Sequence, residues 1–449
     1  MQCRPLKGLR LSGRTIMASD FLRGSQTPTR TRWVNMLPIV FVMYTIAYFD
    51  RTNIGIALPA ITADLGLKPV QGGMIGGIFT WGYAATQFLA GWLTLRLGSR
   101  AVVGHALWLW AVAAIGTGFV RNYEELLAAR FLLGVAEGPV FAATAALLSE
   151  WFAKPERGRA FGWWNLSSPT GAFLAGPISG LLLAHYDWRV MMVVEGLPAF
   201  IWAALWWWRI PRSVAKAKWL PEEERNVLNA ALQQEQAELQ VQERSEKWWT
   251  IFSEPVVWMT LFGSVFITQL IAGYQLWLPS LLKAKSTLPI EWVGVLSGLP
   301  FLLGMAGIYL ITQHSDNHGQ ERRLHAAIPT MITGLMLIIA MLIPSAPVEI
   351  AILILAGFPM KMFLPLVFTN LTECLPRGKA IPAVVFVNAT GNLIAGTVGP
   401  LAIGYLRQKN DSFDLAFILL GAGSVVGGAL LALVGTRWTK RKQAAPLEV

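Results

Sequence analysis

Charge is scarce in this sequence, and cysteine scarcer still. Only 14% of its 449 residues are Asp, Glu, Lys or Arg, against about 25% in an ordinary soluble domain. With 54% apolar residues and a mean hydropathy of +0.49, the chain has too little polar surface to face water all round. That excludes a soluble globular protein. Two cysteines, Cys3 and Cys374, cannot supply a disulfide framework or a CxxC metal site. No HExxH motif and no Ser/His/Asp cluster falls within the apolar runs, so a membrane-embedded enzyme has no evident machinery. Residues 1–32 hold one acid, Asp20, and no apolar stretch, which argues against a cleaved signal peptide. They are expected to form a disordered basic tail on the cytoplasmic side, with Met17 as an alternative start.

What fills the chain is apolar runs. Six occur at 33–61, 72–95, 101–120, 125–150, 158–184 and 190–208, and six more at 255–282, 292–312, 325–343, 348–374, 380–406 and 413–436. A helix of about 20 apolar residues crosses a bilayer. The expected fold is therefore an all-α membrane protein of twelve transmembrane helices in two six-helix bundles, residues 33–209 and 255–442. Residues 210–254 are polar, include Pro221-Glu222-Glu223-Glu224-Arg225, and read as a cytoplasmic linker of one or two soluble helices. A short tail, 443–449, closes the chain. Twenty tryptophans suit aromatic belts at the two membrane surfaces.

The net charge of +11 reflects topology rather than nucleic-acid binding, because Lys and Arg gather in the gaps between runs. They divide 27 to 7 between the two sides, leaving Arg51, Arg130 and Lys361 inside spans. The richer side is cytoplasmic by the positive-inside rule. Both termini are thus expected inside, in a bacterial inner membrane.

The halves repeat. Arg157-Gly158-Arg159-Ala160 precedes Thr170-Gly171 and Gly176-Pro177 in span five. Arg377-Gly378-Lys379-Ala380 precedes Thr390-Gly391 and Gly399-Pro400 in span eleven. Two related six-helix halves are a transporter design, with the substrate near the midplane between them.

Span one carries the most unusual stretch, Tyr48-Phe49-Asp50-Arg51-Thr52-Asn53. A charge inside a span costs about 2.5–3.5 kcal/mol on insertion scales, so Asp50 and Arg51 are expected to face a cavity or a partner. Helical spacing puts Tyr44, Tyr48 and Arg51 on one face, with Asp50 rotated by about 100°. Arg130 and Glu137, two turns apart, share a face of span four. Tyr83 and Gln87 pair in span two, Asn165 and Ser168 in span five, Asn388 and Asn392 in span eleven. Together these predict a polar cavity holding two guanidiniums and two carboxylates.

These residues resemble the major facilitator superfamily and, within it, the anion:cation symporter family of organic-anion transporters. The likeness covers about 30–440. It rests on Tyr48-Phe-Asp-Arg-Thr-Asn-Ile-Gly-Ile-Ala-Leu, Arg130-Phe-Leu-Leu-Gly-Val-Ala-Glu137-Gly, Asp187-Trp-Arg-Val with Glu195-Gly-Leu-Pro, Tyr274-Gln-Leu-Trp-Leu-Pro279 and the linker's Trp219-Leu-Pro-Glu-Glu-Glu-Arg225. The resemblance implies Asp50 and Glu137 as proton-coupling acids and Arg51 and Arg130 as substrate or charge-balancing groups. One departure stands out. The family's loop after span two reads Gly-x-Leu-x-Asp-Arg-x-Gly, and here the aspartate is Leu95, leaving Arg96 alone. The second-half loop keeps its acid, Asp316, so Arg96 and Asp316 are the expected gating residues and the first-half latch is the weaker.

The chemistry suits a carboxylate. Arginine's planar fork binds carboxylate bidentately and stays charged. An anion occupying the arginine leaves a neighbouring acid without its counter-charge, so that acid takes up a proton and the two bindings support each other. The alternative is that Asp50–Arg130 or Glu137–Arg51 are ion pairs that only hold spans one and four together. Lys361, in the middle of span ten, is read either as a third cationic contact for a second acidic group, or as a lysine bonded to backbone at the Pro365 kink or paired with an acid. Among weaker signals, Glu195 reads as structural, Glu150 and Glu373 as partners of loop arginines, and Gly421-Ala-Gly423-x-x-x-Gly427 as close helix packing. His314-Ser-Asp316-Asn-His318 has metal-like spacing, but no metal is expected. The expected candidates for substrate are Arg51, Arg130, Tyr48, Tyr83, Gln87, Ser168, Lys361, Asn388 and Asn392. The reading is a proton-driven importer of an organic anion (a sugar acid, a hydroxy-dicarboxylate or an aromatic carboxylate), monomeric, in a lipid bilayer, with no cofactor beyond the proton gradient. Export or exchange is the alternative within the class, and a membrane receptor or membrane-embedded enzyme the alternative outside it.

Overall fold

The computed structural model describes residues 30–242, 248–318 and 321–434. The basic tail up to residue 29, Met17 and Cys3 with it, and the C-terminal tail at 443–449 lie outside the described residues. Among the described residues every regular element is helical. Eleven helices or broken helices are long and apolar enough to cross a membrane, where twelve were expected. The run at 72–95 is the difference. It forms Pro69–Gln87 and Ala90–Leu97, separated at Phe88–Leu89, so the first part falls short in hydropathy and the second in length.

The spans are, in order, Arg30–Asp64, the pair just named, Ser99–Thr117, Tyr123–Glu137 with Val140–Trp151, Lys154–Asn165 with Ser167–His185, and Trp188–Arg209. The second half repeats them as Pro255–Lys285, Ile290–Asn317, Arg323–Leu342, Ala346–Met360 with Phe363–Cys374, Arg377–Asn410 and Asp414–Leu433. Their ends follow from sequence. Asn122 and Asp187 cap spans four and six, accepting from the amides of Glu125 at 2.9 Å and Val190 at 2.8 Å. Proline and glycine set the interior breaks. Pro139 interrupts span four just after Glu137, and Pro365 has no N–H to give the carbonyl of Lys361, where span ten breaks.

The packing repeats with the sequence. Span one lies along span five, two along four and three along six; in the second half seven lies along eleven, eight along ten and nine along twelve. Across the halves, two packs on eleven, eight on five and one on seven, as a two-fold relation between the halves requires. Glycine allows these approaches. At Gly176 and Gly294 the backbones of spans five and eight meet so closely that a Cβ on either would strike the other's carbonyl oxygen.

The two halves are sealed together at one end, and toward the other each keeps a core of its own. Ile54, Leu58, Ile61 and Ile75 of the first half share a continuous core with Leu276, Trp277, Leu281 and Ile403 of the second. Gln275 Nε2 donates to Thr52 Oγ1 at 2.8 Å and Trp81 Nε1 to Thr397 Oγ1 at 3.0 Å across this seam. Toward the ends that carry Trp151 and Ile251, each half has a core of its own. There the linker helix Glu222–Gln242 docks on the first half: fully buried Arg32 contacts Glu224 at 2.6 Å and Glu156 at 3.1 Å, and Arg157 grips Glu235.

Candidate functional site

The charged residues of spans one and four meet just below the seal. Arg51 Nε donates to Glu137 Oε2 at 2.5 Å. Glu137 is wholly buried, whereas the Arg51 side chain is 14% exposed, so of the pair the arginine alone is reachable from outside. Its guanidinium is bracketed by the rings of Tyr48 and Tyr83, each 4.8 Å away, and of Phe79 at 5.6 Å. Such cation–π contacts are worth about 0.5–2 kcal/mol each and also fix the fork's plane. Tyr44 lies behind Tyr48, ring centroids 5.3 Å apart and tilted by 55°, and Ser168 is close to the Tyr48 hydroxyl. Tyr44, Tyr48 and Arg51 thus lie along one face, as their spacing predicts.

Asp50 points the other way, into the first bundle. Its Oδ2 accepts from Trp110 Nε1 at 2.6 Å, and its Oδ1 is buried without a partner. Asp50 and Arg130 line a small cavity of about 10 Å³ with Asn53, Thr117 and Met192. Arg130 stands over Phe79 at 5.1 Å and makes no ion pair among the described residues; its Nε is unpartnered. Of the two structural pairings considered, Glu137–Arg51 is made and Asp50–Arg130 is not. Breaking a buried pair by removing one partner costs about 3–5 kcal/mol, which makes the Arg51–Glu137 contact a strong lock until something replaces one side of it.

Lys361 faces this group from the second half. It caps the first part of span ten where the helix breaks, its ammonium lies 5.0 Å from the Phe301 ring, and it is within electrostatic reach of Tyr48. No acid pairs with it among the described residues. Glu137 and Lys361 occupy matching places, each at the end of the first helical part of a broken span, four and ten. Broken helices at corresponding positions of two halves mark transporter binding sites.

Tyr83 and Gln87 lie on span two and Asn388 and Asn392 on span eleven, two helices that pack on each other. Span two meets span eleven where Thr80 touches Gly396. One turn further from the seal these helices carry Tyr83 and Asn392, and a turn beyond that Gln87 and Asn388. Asn392 Nδ2 donates to Asn388 Oδ1 at 2.5 Å, and the Gln87 amide oxygen is buried without a partner. Asn165 does not join Ser168. The helix breaks between them at Leu166, and Asn165 bonds back to Phe161.

Away from the seal Arg96 lies over its own neighbour Trp92 at 4.7 Å, whereas Asp316 pairs with Arg322 at 2.5 Å and Arg322 reaches Glu373 at 3.6 Å. Glu150 takes a hydroxyl, Ser99 Oγ at 2.8 Å, instead of the arginine expected for it. His314 contacts His325 Nε2 at 2.7 Å and stacks on His318, so the histidines bond one another, and no metal-holding group occurs among the described residues. Sequence reasoning missed Trp110, which is one of twenty tryptophans and carries no local signal. It also took Glu195 as an isolated structural acid, although Asn53, its partner at 2.9 Å, sits in the stretch already singled out.

Comparison with known proteins identifies the family and the fold. The Major Facilitator Superfamily profile matches residues 40–400. The "Quinolone resistance transporter" of Acinetobacter baumannii is 26% identical over 92% of this chain and 96% of its own. The "Probable sulfoacetate transporter SauU" of Cupriavidus necator is 28% identical over 87% of this chain and 91% of its own. Among solved structures, an inward-facing, unoccupied bacterial homologue of the human lysosomal transporter Spinster superposes with a TM-score of 0.70 at 16% identity, over 94% of this chain and 98% of that one, which shows the fold. With its repeated six-span halves and a family match along most of its length, the chain belongs to the Major Facilitator Superfamily and is a multi-pass membrane transporter, not an enzyme.

Proposed function

We propose that this transporter imports an organic anion together with protons by alternating access. One observation carries the reading. A partly exposed guanidinium is paired to a wholly buried carboxylate and faced by an unpaired lysine from the other half. An incoming carboxylate takes the Arg51 fork, and Glu137, relieved of its counter-charge in a dry site, binds a proton. Anion and proton therefore load together. Asp50 and Arg130, one layer behind, form the second acid–base couple, and Lys361 receives a second acidic group. A substrate with two acids, such as a dicarboxylate or a sulfonated carboxylate, fits best, in keeping with the relative named for sulfoacetate. The excess of Lys and Arg on one side supports a bacterial inner-membrane protein with both termini in the cytoplasm. Arg96 and the Asp316–Arg322 pair act at the cytoplasmic gate, and the protein works as a monomer.

The test is thermal unfolding of purified protein with a panel of mono- and dicarboxylates, sugar acids and sulfonates. A ligand at a hundred times its Kd adds about 2.7 kcal/mol. A stabilising anion lost in Arg51→Ala and Arg130→Ala, and accumulated by proteoliposomes under an inward proton gradient, supports the proposal. Stabilisation by neutral or cationic compounds alone refutes it. The relative named for quinolone resistance favours export as a second reading, and accumulation against the reverse gradient is its signature.

A further inference from the structure

Glu195 is a buried acid that the scheme above does not use. It sits in span six, 4% exposed. Its Oε2 accepts from Asn53 Nδ2 at 2.9 Å, and its Oε1 lies 2.7 Å from Ser179 Oγ, a hydroxyl that donates to the carboxylate and can turn to accept the proton of the neutral acid. No Lys, Arg or His lies within ion-pair distance among the described residues. An unpaired carboxylate shielded from water is costly, and neutral donors offset only part of that.

Both partners belong to helices that make the seal. Asn53 follows Thr52, which accepts the Gln275 amide of the second half, and Gly55 lies against the Gln275 and Leu276 carbonyls. Ser179 lies between Gly176, pressed on Gly294 and Gly298, and Gly180, pressed on Ile290 and Glu291. Glu195 therefore clamps spans one and five from behind at the level where each touches the other half. Asn53 also lines the cavity with Asp50 and Arg130, and the oxygens Asp50 Oδ1 and Asn53 Oδ1 are buried without partners. That cavity, about 10 Å³, is the size of one water and gives it several polar neighbours. The charged groups facing Glu195 are few: Asp50 from span one and Arg130 from span four, both across the cavity. Span three offers only Thr117 here, and span five has no ionisable side chain between Ser167 and Ala184.

We propose that Glu195 is a proton-binding site coupled to the seal, neutral while spans one and five are clamped against the second half and ionised when the seal parts and water reaches it. The inference rests on the alternating-access reading above. Protonation from the far side of the membrane then favours closure there and opening on the other side, so Glu195 adds a proton-sensitive step to the cycle separate from Glu137 at the substrate arginine.

The experiment needs no substrate, so its failure leaves anion transport untouched, and absence of anion transport leaves its result standing. Spin labels at His185→Cys and Thr287→Cys, flanking the Gly180–Ile290 contact, report opening of the seal in full-length protein with Cys3→Ser and Cys374→Ser. Distances are recorded by pulsed electron resonance across pH. The unaltered site gives short distances at acid pH and a growing long-distance population as pH rises. Glu195→Gln stays short throughout, because a neutral isostere cannot ionise. Glu195→Asp keeps a pH response with a moved midpoint. A Glu195→Gln protein with the unaltered midpoint overturns the proposal, and so does a pH-independent distance in the parent. Rim acids such as Asp64 and Glu291 remain in every variant and cannot produce the difference.

Discussion

Replacing Gly176 with alanine tests the alternating-access geometry with a single methyl group. In this conformation the added carbon would overlap the Gly294 carbonyl oxygen and lie 2.9 Å from the Gly298 amide nitrogen and 3.1 Å from its Cα. All three are backbone atoms of a helix, so no side chain can swing aside, and the two halves must move apart. Overpacking of this kind costs typically about 1–3 kcal/mol. The cost falls only on the state in which spans five and eight touch, and it shifts the balance away from the sealed state by about 5- to 150-fold. Gly116→Ala is the control, because nothing lies within 4 Å of its added carbon. Spin-label distances between spans five and eight, or labelling of a cysteine behind the seal by an impermeant maleimide, read the shift. Gly176→Ala is expected to lengthen the distance and speed the labelling, while Gly116→Ala matches the parent. Equal behaviour of both variants and the parent would show that the Gly176–Gly294 contact is no moving seam.

Two further predictions follow from ion contacts. Lys361→Ala is expected to weaken anions with two acidic groups by roughly 10- to 150-fold, the loss of one charge-assisted contact of about 1.5–3 kcal/mol, and to weaken monocarboxylates much less; equal losses for both classes would remove Lys361 from the site. Arg32→Ala strips a buried cation from Glu224 and Glu156 and is expected to destabilise the first half by about 3–5 kcal/mol in thermal unfolding, whereas Arg157→Ala, whose pair with Glu235 is partly solvated, costs about 1 kcal/mol or less. The Arg32 effect carries a pH signature. Burial pushes the Glu224 carboxyl above its ordinary value, against the pull of the Arg32 hydrogen bond. The folded state thus holds this proton to higher pH than the unfolded chain, and the contribution favours folding at acid pH and fades as pH rises through that window. With the arginine gone the pull is gone, so the Arg32→Ala deficit is smaller near about pH 5 than near about pH 8. A deficit independent of pH would refute the assignment to Glu224.

The sequence by itself determined the helices and their order, because a chain this poor in charge must satisfy its backbone internally to live in lipid. It also determined which residues were out of place. Asp50, Arg51, Arg130, Glu137 and Lys361 are conspicuous wherever their helices lie, since each is costly in a span. Spacing along one helix went further and put Tyr44, Tyr48 and Arg51 on a single face with Asp50 turned away. Relations between helices were beyond its reach. That Arg51 takes Glu137 while Asp50 takes Trp110, that Lys361 looks at Tyr48 from the other half, and that the long apolar run at 72–95 divides in two were decided by packing. So was the place of Glu195, an isolated acid in the sequence that becomes a clamp behind the seal once spans one, five and six are brought together. A residue's cost in the membrane is a local property and can be read from one chain position. Its partner is whatever the bundle places within 3 Å, and that depends on other helices, 60 residues away for Asp50 and 86 for Arg51.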